Sequence, residues 1–258
     1  MKVVILAGGL GTRLSEETVS KPKPMVEIGS MPIIWHIMKY FSSYGHNDFI
    51  ICAGYKAHII KEFFTNYHMH ASDLSINFES NNPIKIHKKN IEPWNVSIIN
   101  TGEDTLTGGR IKKIYDLIKD ESYFFMTYGD GLSNVNIDKL EKFHIKNKKL
   151  ATVTAVRPPA RFGYLNISSN DEVINFEEKN QKNESYINGG YFVLNPECIN
   201  FIESDYTSWE KEPMMNLTSS NNLMAFKHNE FWLPMDTLRD KLMLEELWKN
   251  SKAPWKRW

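Results

Sequence analysis

Apolar and polar positions follow two rhythms along this chain. Lys2–Ala7 is a short, nearly continuous apolar run that reads as a buried strand, and Asp48–Ala53, Ser122–Thr127 and Leu150–Val156 repeat it. Between them, Ile33–Tyr44, Ala57–Tyr67 and Ile137–Lys148 place apolar residues at helical spacing. The first of these stops at Gly45, and the second gathers its aromatics on one face. Strands alternating with helices predict βαβ units. The expected fold is α/β and Rossmann-like, a mostly parallel mixed sheet flanked by helices.

Two stretches break the rhythm. Residues 72–101 read as an irregular insert of short strands and turns, with Trp94 and a basic run, His87-Lys88-Lys89, that reads as a solvated face. Residues 163–228 read as an antiparallel lobe, with strands at Tyr164–Ile167, Val173–Glu178, Tyr186–Leu194 and Leu223–Lys227. Asp236–Trp248 reads as a closing helix. The tail, Ala253-Pro254-Trp255-Lys256-Arg257-Trp258, carries two tryptophans that read as exposed, and so docks on the body or on a neighbouring subunit. No repeat or low-complexity linker interrupts the chain, so residues 1–258 are expected to form one domain with lobes.

Composition narrows the function. With 258 residues and 41% hydrophobic content, a sizeable core can be buried. The 31 Lys and Arg balance the 31 Asp and Glu, which argues against a nucleic-acid or membrane surface. Cations that meet an anion must therefore be locally focused. Cys52 and Cys198 have no CxxC spacing, so neither a disulfide framework nor a structural zinc site is expected, and Cys52 reads as a small buried hydrophobe. His68 and His70 have no third ligand nearby and read as surface or interface residues. The N-terminal apolar run is too short for a signal peptide, and no stretch approaches membrane-spanning length; a cytoplasmic location is expected.

The first 25 residues are where charge is focused. The apolar run feeds into Leu6-Ala7-Gly8-Gly9-Leu10-Gly11-Thr12-Arg13-Leu14, and Lys21-Pro22-Lys23-Pro24 follows. Glycines let backbone N–H groups approach phosphate oxygens, and Arg and Lys supply charge. A Walker loop is excluded because no Gly-Lys-Ser/Thr follows Gly8 at the required spacing. The dinucleotide fingerprint is excluded because Leu14 stands where a third small residue must pack. A plain flexible turn would need none of these cations. The loop therefore reads as a phosphate cradle of another kind.

Two aspartates are candidates for a metal. Magnesium takes one or two protein carboxylates plus substrate phosphates. Asp130, in Thr127-Tyr128-Gly129-Asp130-Gly131, falls just past a strand end, where ligands of α/β sheets bind; Asp-Gly is also an ordinary turn. Asp236, in Pro234-Met235-Asp236-Thr237, reads equally well as a helix N-cap. Trp232 reads as core or pocket wall.

Together these motifs resemble the sugar-1-phosphate nucleotidyltransferases. The resemblance runs the whole length and includes Arg161-Phe162-Gly163 and Ile187-Asn188-Gly189-Gly190, while Glu92-Pro93-Trp94 and Thr107-Gly108-Gly109-Arg110 point to the cytidylyl branch. It implies transfer of a cytidylyl group from CTP to α-D-glucose 1-phosphate, giving CDP-glucose and pyrophosphate with Mg2+, on the way to dideoxyhexoses of surface polysaccharides. It also implies a homo-oligomer, a hexamer. By resemblance Leu6 to Arg13 and Lys23 wrap the nucleotide, Thr105 and Arg110 belong to the CTP site, and Gly129 contacts the nucleotide. Asp130 and Asp236 would hold the metal. Lys179 would meet the sugar phosphate, with Glu177, Asn188 and Gly189 at the sugar hydroxyls, in an antiparallel sugar-binding portion. Where the family often has Glu-Lys-Pro, this chain has Glu178-Lys179-Asn180, keeping the lysine and losing the rigid proline.

The chemistry asks for no activated nucleophile, and none is evident. A phosphate monoester with a second pKa near ~6 is already a dianion at neutral pH. What must be supplied is alignment of two polyanions and stabilisation of the leaving pyrophosphate. Arg13, Lys23 and Asp130 are the residues expected to carry that work. A thymidylyl or uridylyl transferase, or a non-catalytic nucleotide-sugar sensor on the same fold, are the alternatives.

Overall fold

The computed structural model describes residues 1–79, 81, 83–89, 91–158, 164–177 and 185–258. Its spine is a seven-stranded sheet. In chain order the elements that matter are β1 (Lys2–Ala7), α1 (Ile33–Ser42), β2 (Asp48–Ala53), α2 (Ala57–His70), β3 (Ser72–Ile76), β4 (Ile84–Lys89), β5 (Asn95–Asn100) and α3 (Thr107–Lys113). There follow β6 (Phe124–Tyr128), β7 (Gly131–Ser133), α4 (Ile137–Asn147), β8 (Ala151–Val156), β9 (Tyr164–Ile167) and β10 (Val173–Glu177). The chain ends with β11 (Ile187–Leu194), α5 (Glu212–Ser219), β12 (Leu223–His228), β13 (Trp232–Pro234) and α6 (Leu238–Lys249). The sheet order is β12-β8-β11-β6-β1-β2-β5.

Why β1 is apolar throughout is visible in its packing. Val3, Ile5 and Ala7 face a core built with α1, α6 and the C-terminal tail, whereas Val4 and Leu6 face a second core with Ile111, Ile118 and Trp209. A strand covered on both faces has no polar side to show.

The pairing directions place the site. β2, β5 and β6 run parallel to the strand set around β1, so the carboxyl ends of all four lie on one edge. β11 runs antiparallel to β6, which puts its start, with Asn188, on that same edge. The expected α/β, mostly parallel mixed sheet is what the chain forms.

Three local expectations need correction. Leu223–His228 is not part of an antiparallel lobe: β12 pairs parallel with β8 inside the central sheet, and β11 is also a central strand. Among the described residues of 163–228, the separate antiparallel piece is the two-stranded β9–β10 ribbon, and an α-helix, α5, lies in the same span. The 72–101 stretch is likewise not all irregular. β3 and β4 form a hairpin, but Asn95–Asn100 joins the sheet as its edge strand beside β2. Finally, Trp255 is fully buried rather than exposed. Its ring packs on Phe231 and Trp248, and its indole N–H donates to His36 Nδ1, so the tail docks on the body. No helix among the described residues is long and apolar enough to cross a membrane.

Candidate active site

A cleft of about 810 Å3 opens at the carboxyl edge of the sheet. Its walls include Leu6 to Arg13, Lys23, Thr105, Arg110, Gly129, Asp130, Asn188 and Asp236, all expected from the sequence. Lys179 lies outside the described residues, as do Arg161-Phe162-Gly163. Glu177 ends β10, and only its backbone is described. Gly189 lies next to the cleft in β11, where its carbonyl accepts the Trp232 indole N–H at 2.7 Å. Trp232 itself lines the cleft.

The two aspartates are distant in sequence and are brought together by a small ribbon. β7 pairs antiparallel with β13, setting Gly131 opposite Pro234, and Met235 N donates to the Asp130 carbonyl at 2.8 Å. Asp130 precedes one strand of that ribbon and Asp236 follows the other. The N-cap reading of Asp236 is displaced: Thr237 caps α6, in a reciprocal capping box with Asp240. Asp236 is thereby left to face the cleft.

Lys23 stands between the two carboxylates. Its Nζ donates to Asp130 Oδ2 at 2.7 Å and to Asp236 Oδ1 at 2.6 Å. Burial alone would pull this ammonium down, but Asp130 and Asp236 more than offset it and hold its pKa above the ordinary lysine value. Arg13 reaches the other oxygen, Asp236 Oδ2, at 2.8 Å, with a side chain that is 74% exposed. Two carboxylates converging on one cation fit a divalent metal chemically, with the ammonium as its stand-in.

Arg110 is buried at the floor of the cleft. It donates to the carbonyls of Ala53, Gly102, Gly8 and Glu103 and to Thr101 Oγ1. Those oxygens follow or end β1, β2 and β5, so one guanidinium ties three strand ends to the glycine loop. Gly8 must be glycine here, because a Cβ would fall 2.1 Å from Arg110 Nη1. All five acceptors are uncharged, which leaves a buried positive charge under the loop.

Thr107-Gly108-Gly109-Arg110 stands out in the sequence by resemblance alone, and packing supplies its physical reason. A Cβ on Gly108 would lie 2.7 Å from Thr207 O, and one on Gly109 2.4 Å from Asp205 O. The bare glycines let segment 204–210 lie directly on α3, where Leu106 N and Gly109 N donate to the carbonyls of Asp205 and Thr207. That segment delivers Glu210 to the cleft. The sequence reading missed Glu210, since a single glutamate in a loop carries no local signal. It also passed over the side chain of Tyr128, although Tyr128 stands inside a motif it had singled out. Burial first, and the Glu210 carboxylate after it, push the Tyr128 hydroxyl well above the ordinary tyrosine range.

This cleft joins a glycine-and-cation loop to paired strand-end carboxylates, and the nucleotidyl transferase family profile matches residues 2–237. The chain belongs to the nucleotidyl transferase family. Among family members, the glucose-1-phosphate cytidylyltransferase of Salmonella typhi is 54% identical over 258 residues, covering 100% of each chain. A probable glucose-1-phosphate cytidylyltransferase of Bacillus subtilis is 39% identical over 259 residues, again covering 100% of each. Among solved structures, HddC from Yersinia pseudotuberculosis superposes with a TM-score of 0.69 at 26% identity, covering 96% of this chain and 99% of that one. Cys52 and Cys198 are buried, and burial pushes both thiols up to about 12, which keeps them protonated and inert.

Proposed function

We propose that this nucleotidyl transferase moves a cytidylyl group from CTP to α-D-glucose 1-phosphate. A phosphate oxygen of the sugar phosphate bonds to the α-phosphorus of CTP, the α–β bridging bond breaks, and CDP-glucose and pyrophosphate leave. The observation that carries the reading is the meeting of Arg13, Lys23, Asp130 and Asp236 in one cleft, linked in series by hydrogen bonds from Arg13 to Asp236 and from Lys23 to both aspartates. The choice of cytosine and glucose is supported by full-length identity to relatives of that name.

In this reading Gly8 to Thr12 present backbone N–H groups to the triphosphate, over the buried charge of Arg110. Arg13 leaves Asp236 and takes the β- and γ-phosphates with its planar fork. Lys23 stays near the α-phosphate, Thr105 and Gly129 border the nucleotide, and Lys179 holds the attacking phosphate. Glu177, Asn188 and Gly189 meet the sugar. Asp130 and Asp236 are the residues that would hold Mg2+, which supplies charge neutralisation of the phosphates when bound. The working state is a cytoplasmic homo-oligomer, by resemblance a hexamer, which light scattering at micromolar concentration checks.

A panel of nucleoside triphosphates with glucose 1-phosphate and Mg2+ tests the reading by pyrophosphate release. CTP is expected to be used at least about tenfold better than UTP or dTTP, the cost of one unmatched donor. Preference for UTP or dTTP overturns the base assignment, and no release with any nucleotide overturns catalysis.

A further inference from the structure

A directed chain of hydrogen bonds runs along the lining of the cleft. Glu210 Oε2 accepts from Thr107 Oγ1 at 2.6 Å and from Ser208 Oγ at 2.7 Å, and its Oε1 accepts from Tyr128 Oη at 2.5 Å. Tyr128 Oη accepts in turn from Asn188 Nδ2 at 3.2 Å. Asn188 Oδ1 accepts from Gly190 N at 2.8 Å. Glu210, Tyr128, Thr107 and Asn188 all line the cleft.

The polarity of this chain is forced from the glutamate end. An ionised carboxylate only accepts, so the Tyr128 proton must point at Glu210 and its lone pair at Asn188. Gly190 N only donates, so the carbonyl of the Asn188 amide is fixed toward it. Turned over, the amide would set a donor against Gly190 N–H and an acceptor against a Tyr128 oxygen whose proton is already spent. With both ends fixed, Asn188 keeps one amide N–H for a ligand. The supports are rigid. Gly190 has φ +77° and no Cβ, so the Tyr128 ring lies against its backbone. Among the described residues no cation pairs with Glu210, so its charge is spent on three hydroxyls.

We infer that Glu210 is a positioning residue for the sugar subsite. Acting through Tyr128, it fixes Asn188 as a donor, so the ligand group that meets Asn188 is a sugar hydroxyl oxygen serving as acceptor. The inference rests on the transfer reading above, in which Asn188 faces the sugar. It makes Glu210 and Tyr128 determinants of the acceptor substrate and not of the nucleotide. A glutamine at 210 can donate to Tyr128 Oη, which releases the tyrosine proton toward Asn188 and leaves Gly190 N alone to hold the amide orientation.

The test is steady-state kinetics of pyrophosphate release for Glu210→Gln, Tyr128→Phe, the double variant and Asn188→Ala, each with folding checked by circular dichroism. Glu210→Gln is expected to raise KM for glucose 1-phosphate by about tenfold with KM for CTP within about twofold, as for loss of ground-state binding on one substrate. Tyr128→Phe should match it, and the double variant should be no worse than Tyr128→Phe alone. Fold effects that multiply in the double variant, or a raised KM for CTP with glucose 1-phosphate untouched, overturn the inference and leave the transfer reading standing. An unchanged KM for glucose 1-phosphate in Asn188→Ala instead overturns the sugar subsite itself. Should a variant misfold, Glu210→Asp serves in its place: the shorter carboxylate keeps the acceptor polarity, and glucose 1-phosphate KM should stay below that of Tyr128→Phe.

Discussion

Lys23 carries a paired duty at the residue scale. Its ammonium sits between Asp130 and Asp236 and lets the two carboxylates share one corner of the cleft. Removing it leaves two carboxylates facing each other, and like charges in a partly buried site are costly. Lys23→Met is therefore expected to lower the melting temperature at pH 7, and millimolar Mg2+ should recover more of the loss than it adds to wild type. Melting curves with and without the metal check this, and a variant indifferent to Mg2+ contradicts the shared-cation account. Residues with this chemistry were readable from sequence because their signals are local. Gly8 to Arg13 and Lys23 announce themselves by glycine and charge within one short stretch, and Asp130 by its place at a strand end. Glu210 was unreadable, since the contacts that give it meaning come from Thr107 and Tyr128, far away along the chain.

At the scale of elements, the contact between α3 and segment 204–210 decides whether Glu210 reaches the cleft. Two glycines make the contact possible, and Lys113 reinforces it with an ion pair to Asp205 at 2.6 Å. Gly109→Ala puts a methyl group within 2.6 Å of Asp205 Cα, which is backbone and cannot turn aside. The expected cost is about 1–3 kcal/mol of stability, with a rise in KM for glucose 1-phosphate as Glu210 withdraws. Denaturant unfolding and kinetics together check it; a variant unchanged in both contradicts the seating role. Strand existence was legible from apolar runs, but strand partnership was not. Leu223–His228 alternates like an antiparallel strand and does run opposite to β11, but the connection through α5 carries it past β11 to the far side of β8, beside which it lies parallel. Asn95–Asn100 looked irregular because an edge strand is half-buried and only half apolar.

Across the whole molecule, the tail and the first helix share a buried histidine. His36 is fully buried, with Nε2 at 2.9 Å from Ile28 O and Nδ1 accepting from the Trp255 indole. A carbonyl only accepts and an indole N–H only donates, so His36 is neutral with its proton on Nε2. Burial lowers its pKa from 6.5 to about 4, against the pull of its backbone hydrogen bond to Ile28. His46 and His144 are lowered in the same direction, burial again being the leading cause. The unfolded chain therefore binds more protons than the folded one between about pH 6.5 and 4, and stability falls as pH drops through that window. For His36 the gap corresponds to roughly 3 kcal/mol. Wild-type melting temperature should fall between pH 7 and 5, and His36→Gln should melt lower at pH 7 but lose less on acidification. Equal losses contradict the assignment.

The central claim is that one cleft, built from the first loop and two distant aspartates, performs the transfer. It is tested most directly by pyrophosphate release from CTP, glucose 1-phosphate and Mg2+ in Arg13→Ala and Asp130→Asn beside wild type. Both variants should stay folded and lose at least about a hundredfold in turnover, the scale for removing one charge-stabilising group. Folded variants that turn over within about tenfold of wild type contradict the account.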